Sequence, residues 1–271
     1  MKSSVSGIPT TLSSPKKIKT DSWQDSVFVP LLAALGVGLV AVSSDSFWID
    51  EGLSAVKAIA PTPAGVWQEL RAEANTNLHM LFYMFALWGW EKLAGPSEWA
   101  LRALNIPFFM LGVTALWKAV PRAVRPCLLA FCLTSPFLWF YLNEARTYSM
   151  LFGFSATATA ALLVWRERSD DSSFGWEKWS WVLALSLAAL IWTHVVGLVF
   201  ELAVAVYVLA QLGPRRLGLW IRETWPALLF LGMGNLALLF YVAWTRAQGI
   251  EANPIGKTSW LGLLYWIYEF G

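Results

Sequence analysis

Leu78-His79-Met80-Leu81-Phe82-Tyr83-Met84-Phe85-Ala86-Leu87-Trp88-Gly89-Trp90-Glu91-Lys92-Leu93 is the stretch on which the fold turns. It is apolar, yet it falls short of the roughly 20 residues that a membrane crossing takes. It also closes on Glu91 and Lys92. If it crosses, every later segment reverses its orientation; if it lies along the surface, none does. The Lys and Arg distribution decides, because cytoplasmic loops carry the excess of both. With 78–93 on the surface, three basic connectors fall on one side: Lys118, Arg122 and Arg125; Arg166, Arg168 and Lys178; Arg215, Arg216 and Arg222. That is also the side of Lys2, Lys16, Lys17 and Lys19 in the N-terminal tail. With 78–93 crossing, the three connectors face outward and the rule is violated. We therefore read 78–93 as a juxtamembrane helix.

Working outward, seven apolar segments read as spans: 27–44, 100–117, 127–142, 148–165, 179–193, 195–212 and 225–244. The expected fold class is all-α, a polytopic transmembrane helix bundle with about seven spans and juxtamembrane helices in the first outer loop. Composition agrees. The chain is 57% hydrophobic and 14% charged, with 18 Trp, and its mean hydropathy is +0.52; soluble domains run near ~25% charged. A net charge of +2 argues against a nucleic-acid partner. Cys127 and Cys132 both lie in an apolar run, so neither a disulfide framework nor a zinc site follows.

Residues 1–26, rich in Ser, Thr, Lys and Pro, bury too little to fold and read as a disordered cytoplasmic tail. Residues 27–245 form the transmembrane core, and 45–99 its first outer loop. Within that loop Val66, Trp67, Leu70 and Ala74 alternate with Gln68, Glu69, Arg71 and Glu73 as in a short amphipathic helix. The segment 27–44 reads as a retained anchor, because further apolar segments follow and no small-residue cleavage site is visible.

This topology brings Asp50, Glu51, His79, Glu144, Arg146 and His194 to the outer face. Ionisable residues at membrane depth are expensive and usually functional. Asp50-Glu51 marks either a catalytic pair or an acidic flank at a helix end. In Tyr141-Leu142-Asn143-Glu144-Ala145-Arg146-Thr147-Tyr148, the Arg146 fork suits a phosphate or a carboxylate, and Glu144 could orient it. The alternative is a structural Glu–Arg pair closing a tight corner, with the tyrosines as interface anchors. His194 reads as a structural helix-end residue, a phosphate contact or a proton carrier. Glu201 either pairs with His194 or an arginine, or faces the bundle interior.

Several motifs follow one another in a fixed order: Ile49-Asp50-Glu51; Asn77-Leu78-His79-Met80-Leu81-Phe82-Tyr83; Gly95-Pro96-Ser97-Glu98-Trp99-Ala100-Leu101-Arg102; Ser135-Pro136 with Asn143-Glu144-Ala145-Arg146-Thr147-Tyr148; and Thr193-His194. This order resembles the GT-C glycosyltransferases. The closest likeness is to the bacterial branch related to protein mannosyltransferases, aminoarabinose transferases and rhizobial lipopolysaccharide galacturonosyltransferases. The resemblance implies a GT-C bundle in a bacterial inner membrane, with the N-terminus inside. It implies a polyprenyl-phosphate sugar donor and an acceptor hydroxyl on a lipid, glycan or protein, joined at the non-cytoplasmic face.

Residue by residue, the resemblance makes Asp50 the base, with Glu51 supporting it. Arg146 would bind the donor phosphate, with Arg102 and His194 in the same pocket, and Glu144, His79 and Tyr148 would support them. Asp50 and Glu51 could hold a Mg or Mn ion, or act without one. No Gly-rich phosphate loop is present, and a lipid-linked leaving group requires none.

The chain departs from the family at Leu78-His79-Met80, where relatives often have two prolines. Relatives also continue with further spans, so the resemblance makes 246–271, with Trp260 and Trp266, the opening of a truncated outer loop. Three rival readings are a transporter or flippase of lipid-linked saccharide, for which Glu201 would matter, an inactive or truncated core acting as an assembly subunit, and a plain structural membrane protein, which leaves the ordered outer-face acids and bases unexplained.

Overall fold

The structure, a computed structural model, describes residues 23–73, 76–168, 176–212 and 214–250. Among them all regular structure is helical. The helices are α1 (Phe28–Ala41), α2 (Ile49–Ala58), α3 (Pro63–Glu73), α4 (Leu81–Ala94), α5 (Glu98–Ala103), α6 (Asn105–Ala119), α7 (Arg125–Thr134), α8 (Pro136–Leu142), α9 (Tyr148–Arg168), α10 (Trp176–Thr193), α11 (Gly197–Gln211) and α12 (Pro214–Ala247). Most of the expected tail 1–26 and most of the expected outer segment 246–271, including Trp260 and Trp266, lie outside the described residues.

Each of the seven segments expected to span is helical, but length separates them. Glu98–Ala119, Tyr148–Glu167 and Leu217–Ala247 are long and apolar enough to cross a membrane. A fourth crossing follows if Arg122–Thr134 and Pro136–Leu142 are one span, bent by 53°. Phe28–Ala41, Lys178–Thr193 and Gly197–Gln211 are shorter apolar helices. The bend corrects the reading of 127–142 as one continuous helix. Pro136 has no N–H to continue the ladder, and it drives the preceding residue out of the helical region. Ser135 accordingly sits at φ −65°, ψ 116°.

Which ends lie together is fixed by polar contacts. Asp25 accepts from Arg122 at 2.6 Å, and the Lys118 ammonium donates to the Asp25 carbonyl at 2.8 Å. The start of α1 and the end of α6 therefore share one end of the bundle. At the other end, Ser43 N–H donates to the Asn143 side chain at 2.7 Å. There the Asn105 amide donates to the carbonyls of Tyr141, Leu142 and Glu144. The segment between α1 and α6 thus leaves and returns at one end. An α4 that crossed the bundle would have separated Asp25 from Arg122.

The central packing runs α1–α6–α9–α10–α12. It depends on close backbone approach between α6 and α9. A Cβ on Gly153 would stand 2.7 Å from the Phe108 carbonyl oxygen, inside van der Waals contact.

The described residues of 45–99 form a small folded cap. Leu70, Leu78, Tyr83, Met84 and Leu87 are fully or almost fully buried with Leu101 and Met150. Trp88 donates its indole N–H to the Ala60 carbonyl at 2.9 Å, and Trp90 donates to Ala100 at 2.7 Å. The α4 helix stops at Gly95, whose φ of +91° is a conformation glycine takes without a Cβ clash. The face of α12 carrying Leu229, Leu236 and Phe240 is uncovered, as expected of a lipid-facing helix.

Candidate functional site

The site is built where α2 begins. Residues 43–48 run without helix, and Asp50 and Glu51 fall in the first turn of α2, where negative charge complements the free N–H groups. Glu51 turns inward and is 1% exposed. Its Oε1 accepts from Arg102 Nε at 2.9 Å and from the Ala145 N–H at 2.6 Å. Its Oε2 accepts from Arg102 Nη2 at 2.8 Å and, more weakly, from the Trp48 N–H at 3.4 Å. Arg102 spends its remaining edge on the backbone: Nη1 donates to the carbonyls of Ser43 at 3.1 Å and Asp45 at 2.7 Å. The Phe47 ring lies 5.1 Å from the guanidinium carbon.

Four donors therefore saturate the Glu51 carboxylate, and Arg102 is committed to it. The pair ties together α2, α5 and the turn between α8 and α9. Arg102, expected beside the donor phosphate, is instead a strut. Glu51, expected to support the base or hold an ion, has no lone pair to spare. A divalent cation does not fit Asp50 and Glu51 in this arrangement. Among the described residues, no three His, Cys, Asp or Glu side chains converge to hold a metal.

Asp50 points the other way, 47% exposed, with Oδ2 at 3.7 Å from Arg146 Nη2. Arg146 Nη1 also donates to the Asp50 carbonyl at 3.2 Å and, at the limit of 3.5 Å, to Asn77. The Arg146 N–H donates to the Glu144 carbonyl at 2.7 Å. This tight turn aims the guanidinium at α2. The Nε of Arg146 is buried with no partner. The acidic pair thus divides: Glu51 is bound into the structure and Asp50 is half-exposed beside Arg146. The alternative of a Glu144–Arg146 side-chain pair is not realised, because Arg146 pairs with Asp50.

Around Arg146 gather groups that lack partners. Among the described residues the Tyr83 hydroxyl and Glu144 Oε2, both in the field of Arg146, and Thr147 Oγ1 beside it in the chain are buried without a hydrogen bond. Buried polar atoms in native proteins are mostly satisfied, so such a concentration makes this end of the bundle the candidate site. The Tyr83 phenol is pushed up by burial, against the pull of Arg146. The Glu144 carboxyl is pushed up to about 7, first by burial and then by the charge of Glu51. Tyr148 stacks on Tyr141, centroids 4.3 Å apart, within the fields of Arg146 and Glu144.

Both histidines join the same end. His194 accepts the Val196 N–H on Nδ1 at 3.0 Å. Burial holds its imidazole down to about 4, and the charges of His79 and Arg146 add to that. His79 is held down by burial and by Arg246. The neutral imidazole of His194 is thus favoured at physiological pH.

Tyr83 and Asn77 were legible only as parts of a quoted motif, without a role; a lone hydroxyl in an apolar helix was the available signal. Asn105 gave no signal, since its work is to bind three carbonyls. Glu201 lies elsewhere. Its Oε1 accepts from Asn235 at 2.8 Å, and it lines a cavity of about 230 Å³ with Leu187, Val204, Trp220 and Leu231. It pairs with neither His194 nor an arginine.

No known protein family matches this sequence, and neither a curated protein nor a solved structure is significantly similar to it.

Proposed function

We propose that the protein is a membrane glycosyltransferase of the GT-C type. All seven expected segments would cross the membrane, the N-terminus would lie inside, and the site would open on the non-cytoplasmic face. The donor is a polyprenyl-phosphate sugar, and the acceptor is a hydroxyl on a lipid, glycan or protein. One observation carries this reading: a half-exposed carboxylate, Asp50, stands 3.7 Å from a guanidinium, Arg146, that keeps an unused buried N–H. Sugar transfer to a hydroxyl needs a base and a stabiliser of the departing phosphate in one preorganised place.

Asp50 takes the proton of the acceptor hydroxyl as its oxygen attacks the anomeric carbon. The bond from that carbon to the phosphate oxygen breaks, and its electron pair leaves with the phosphate. Arg146 receives the growing charge, with the Tyr83 hydroxyl and neutral His194 as further donors. The Glu51–Arg102 strut holds α2 so that Asp50 faces Arg146 before substrate arrives.

The test uses protein in nanodiscs with a panel of radiolabelled polyprenyl-phosphate sugars. Donor consumption by the wild type, lost in both Asp50→Asn and Arg146→Ala, would bear the reading out. Unchanged turnover in Asp50→Asn would sink it. The rival transporter reading draws on Glu201 in its apolar cavity; it requires Glu201→Gln to stop movement of lipid-linked saccharide while Asp50→Asn does not.

A further inference from the structure

Three carboxyl groups meet at the turn between α8 and α9, and only two of them have a cation. Arg102 belongs to Glu51 and Arg146 to Asp50. Glu144 is 4% exposed, and no ion pair reaches its carboxyl among the described residues. Its Oε2 is buried with no hydrogen-bond partner. The groups whose charge reaches it are Glu51 and Asp50 from α2, Arg102 from α5 and Arg146 from its own turn; Tyr83 of α4 and Tyr148 of α9 stand in its field. An ionised Glu144 would face two other carboxylates from a desolvated position, so the acid form is favoured. A protonated carboxyl also turns an unpartnered acceptor into a donor.

We propose that Glu144 is the site's general acid, holding a proton that it hydrogen-bonds to the donor's phosphate and gives up as the sugar leaves. This rests on the transferase reading above. The balance closes. The acceptor O–H breaks and its proton goes to Asp50, while the acceptor oxygen bonds to the anomeric carbon. The bond from that carbon to the phosphate oxygen breaks, and its electron pair stays on that oxygen. The Glu144 O–H breaks and its proton joins the same oxygen, leaving a hydrogen phosphate monoester. Asp50 ends protonated and Glu144 ionised, and exchange with water resets both. The two carboxyls divide the work because one is half-exposed beside an arginine and the other is buried without one, a separation of acid from base by environment.

Two readouts test this on the full chain in nanodiscs. Infrared difference spectra on a pH titration should show a protonated-carboxyl band at mildly acidic pH that fades through neutrality and is missing in Glu144→Gln. With a radiolabelled polyprenyl-phosphate sugar, Glu144→Gln should lower kcat about 10²- to 10⁴-fold, leave the donor KM within a few-fold, and remove the alkaline limb of the rate profile. Glu144→Asp should keep a titrating band and part of the rate, which separates loss of the proton from loss of fold. An identical band in Glu144→Gln, or wild-type turnover in that variant, would overturn the proposal. A band that behaves as expected with no sugar transferred from any donor would overturn the transferase reading and the acid role together, and would leave only a buried protonated carboxyl.

Discussion

Arg102 closes on Glu51 edge to edge, Nε to Oε1 at 2.9 Å and Nη2 to Oε2 at 2.8 Å, with the two side chains 3% and 1% exposed. Removing one partner of such a pair strands the other charge, which costs about 3–5 kcal/mol. Glu51→Gln and Arg102→Ala should each lower thermal stability in detergent by that order. Arg102→Lys should not restore it, since an ammonium cannot make the parallel bonds. A change below about 1 kcal/mol, the range of surface pairs, would mean that the pair does not hold α2 in place.

Asp50→Asn should behave in the opposite way. The side chain is half-exposed and 3.7 Å from its arginine, so little folding energy rests on it. Thermal stability should stay within about 0.5 kcal/mol of wild type, as for ordinary surface changes. Transfer from a polyprenyl-phosphate sugar should fall about 10²- to 10⁴-fold, the contribution of a positioned base. Parallel unfolding and turnover measurements on one preparation check both.

Arg146→Lys keeps the charge and loses the fork. Hydrogen bonds to charged groups are worth about 1.5–3 kcal/mol, so donor KM should rise about 10- to 100-fold. The Asp50-dependent step should survive at saturating donor. Titration with radiolabelled donor separates the two, and an unchanged KM would exclude a phosphate contact at Arg146.

His194 predicts a stability profile. Its folded imidazole sits near 4, below the ordinary 6.5, so the unfolded chain binds the extra proton first. The stability it contributes is present above about 6.5 and is lost as the pH falls toward 4. His194→Gln should flatten that part of the curve. Chemical unfolding in detergent at pH 7, 6, 5 and 4 measures it.

The helix interface gives a prediction independent of function. Gly153→Ala places a Cβ at 2.7 Å from the Phe108 carbonyl oxygen, a backbone atom that cannot swing aside. Overpacking of this kind costs about 1–3 kcal/mol, read as a lower unfolding midpoint. Gly36→Ala, with open space at the same test, is the matched control.

What the sequence disclosed and what it hid follow from the range of each signal. Helix content was legible, because apolar runs are read over many residues, and the Lys/Arg bias foretold that the chain leaves α1 and enters α6 at one end of the bundle, where Ser43 meets Asn143. The clustering of Asp50, Glu144, Arg146 and His194 at one end followed from that topology. Partner choice was not legible. Nothing local tells Arg102 to take Glu51, 51 positions earlier, and leave Arg146 for Asp50. Read along the chain, Glu51 and Arg102 look like reactive groups, whereas burial and mutual pairing make them a strut. The bend before Pro136 had its signal in the proline itself, overridden by the apolar run around it. Tyr83 stayed hidden because a phenol in a greasy helix reads as packing until its neighbours are known.

Glu51 also dictates an order of events during synthesis. Its carboxylate is made before either anchor: Arg102 follows 51 residues later, and the Ala145 N–H follows 94 residues later. Until then the cap carries an unmatched charge, and α2 has no fixed bearing. The cap is therefore made early and set in place late, once the turn between α8 and α9 has emerged. A nascent chain halted before residue 145 would hold every residue of that cap, yet lack the Ala145 N–H that helps fix the bearing of α2 and so of Asp50.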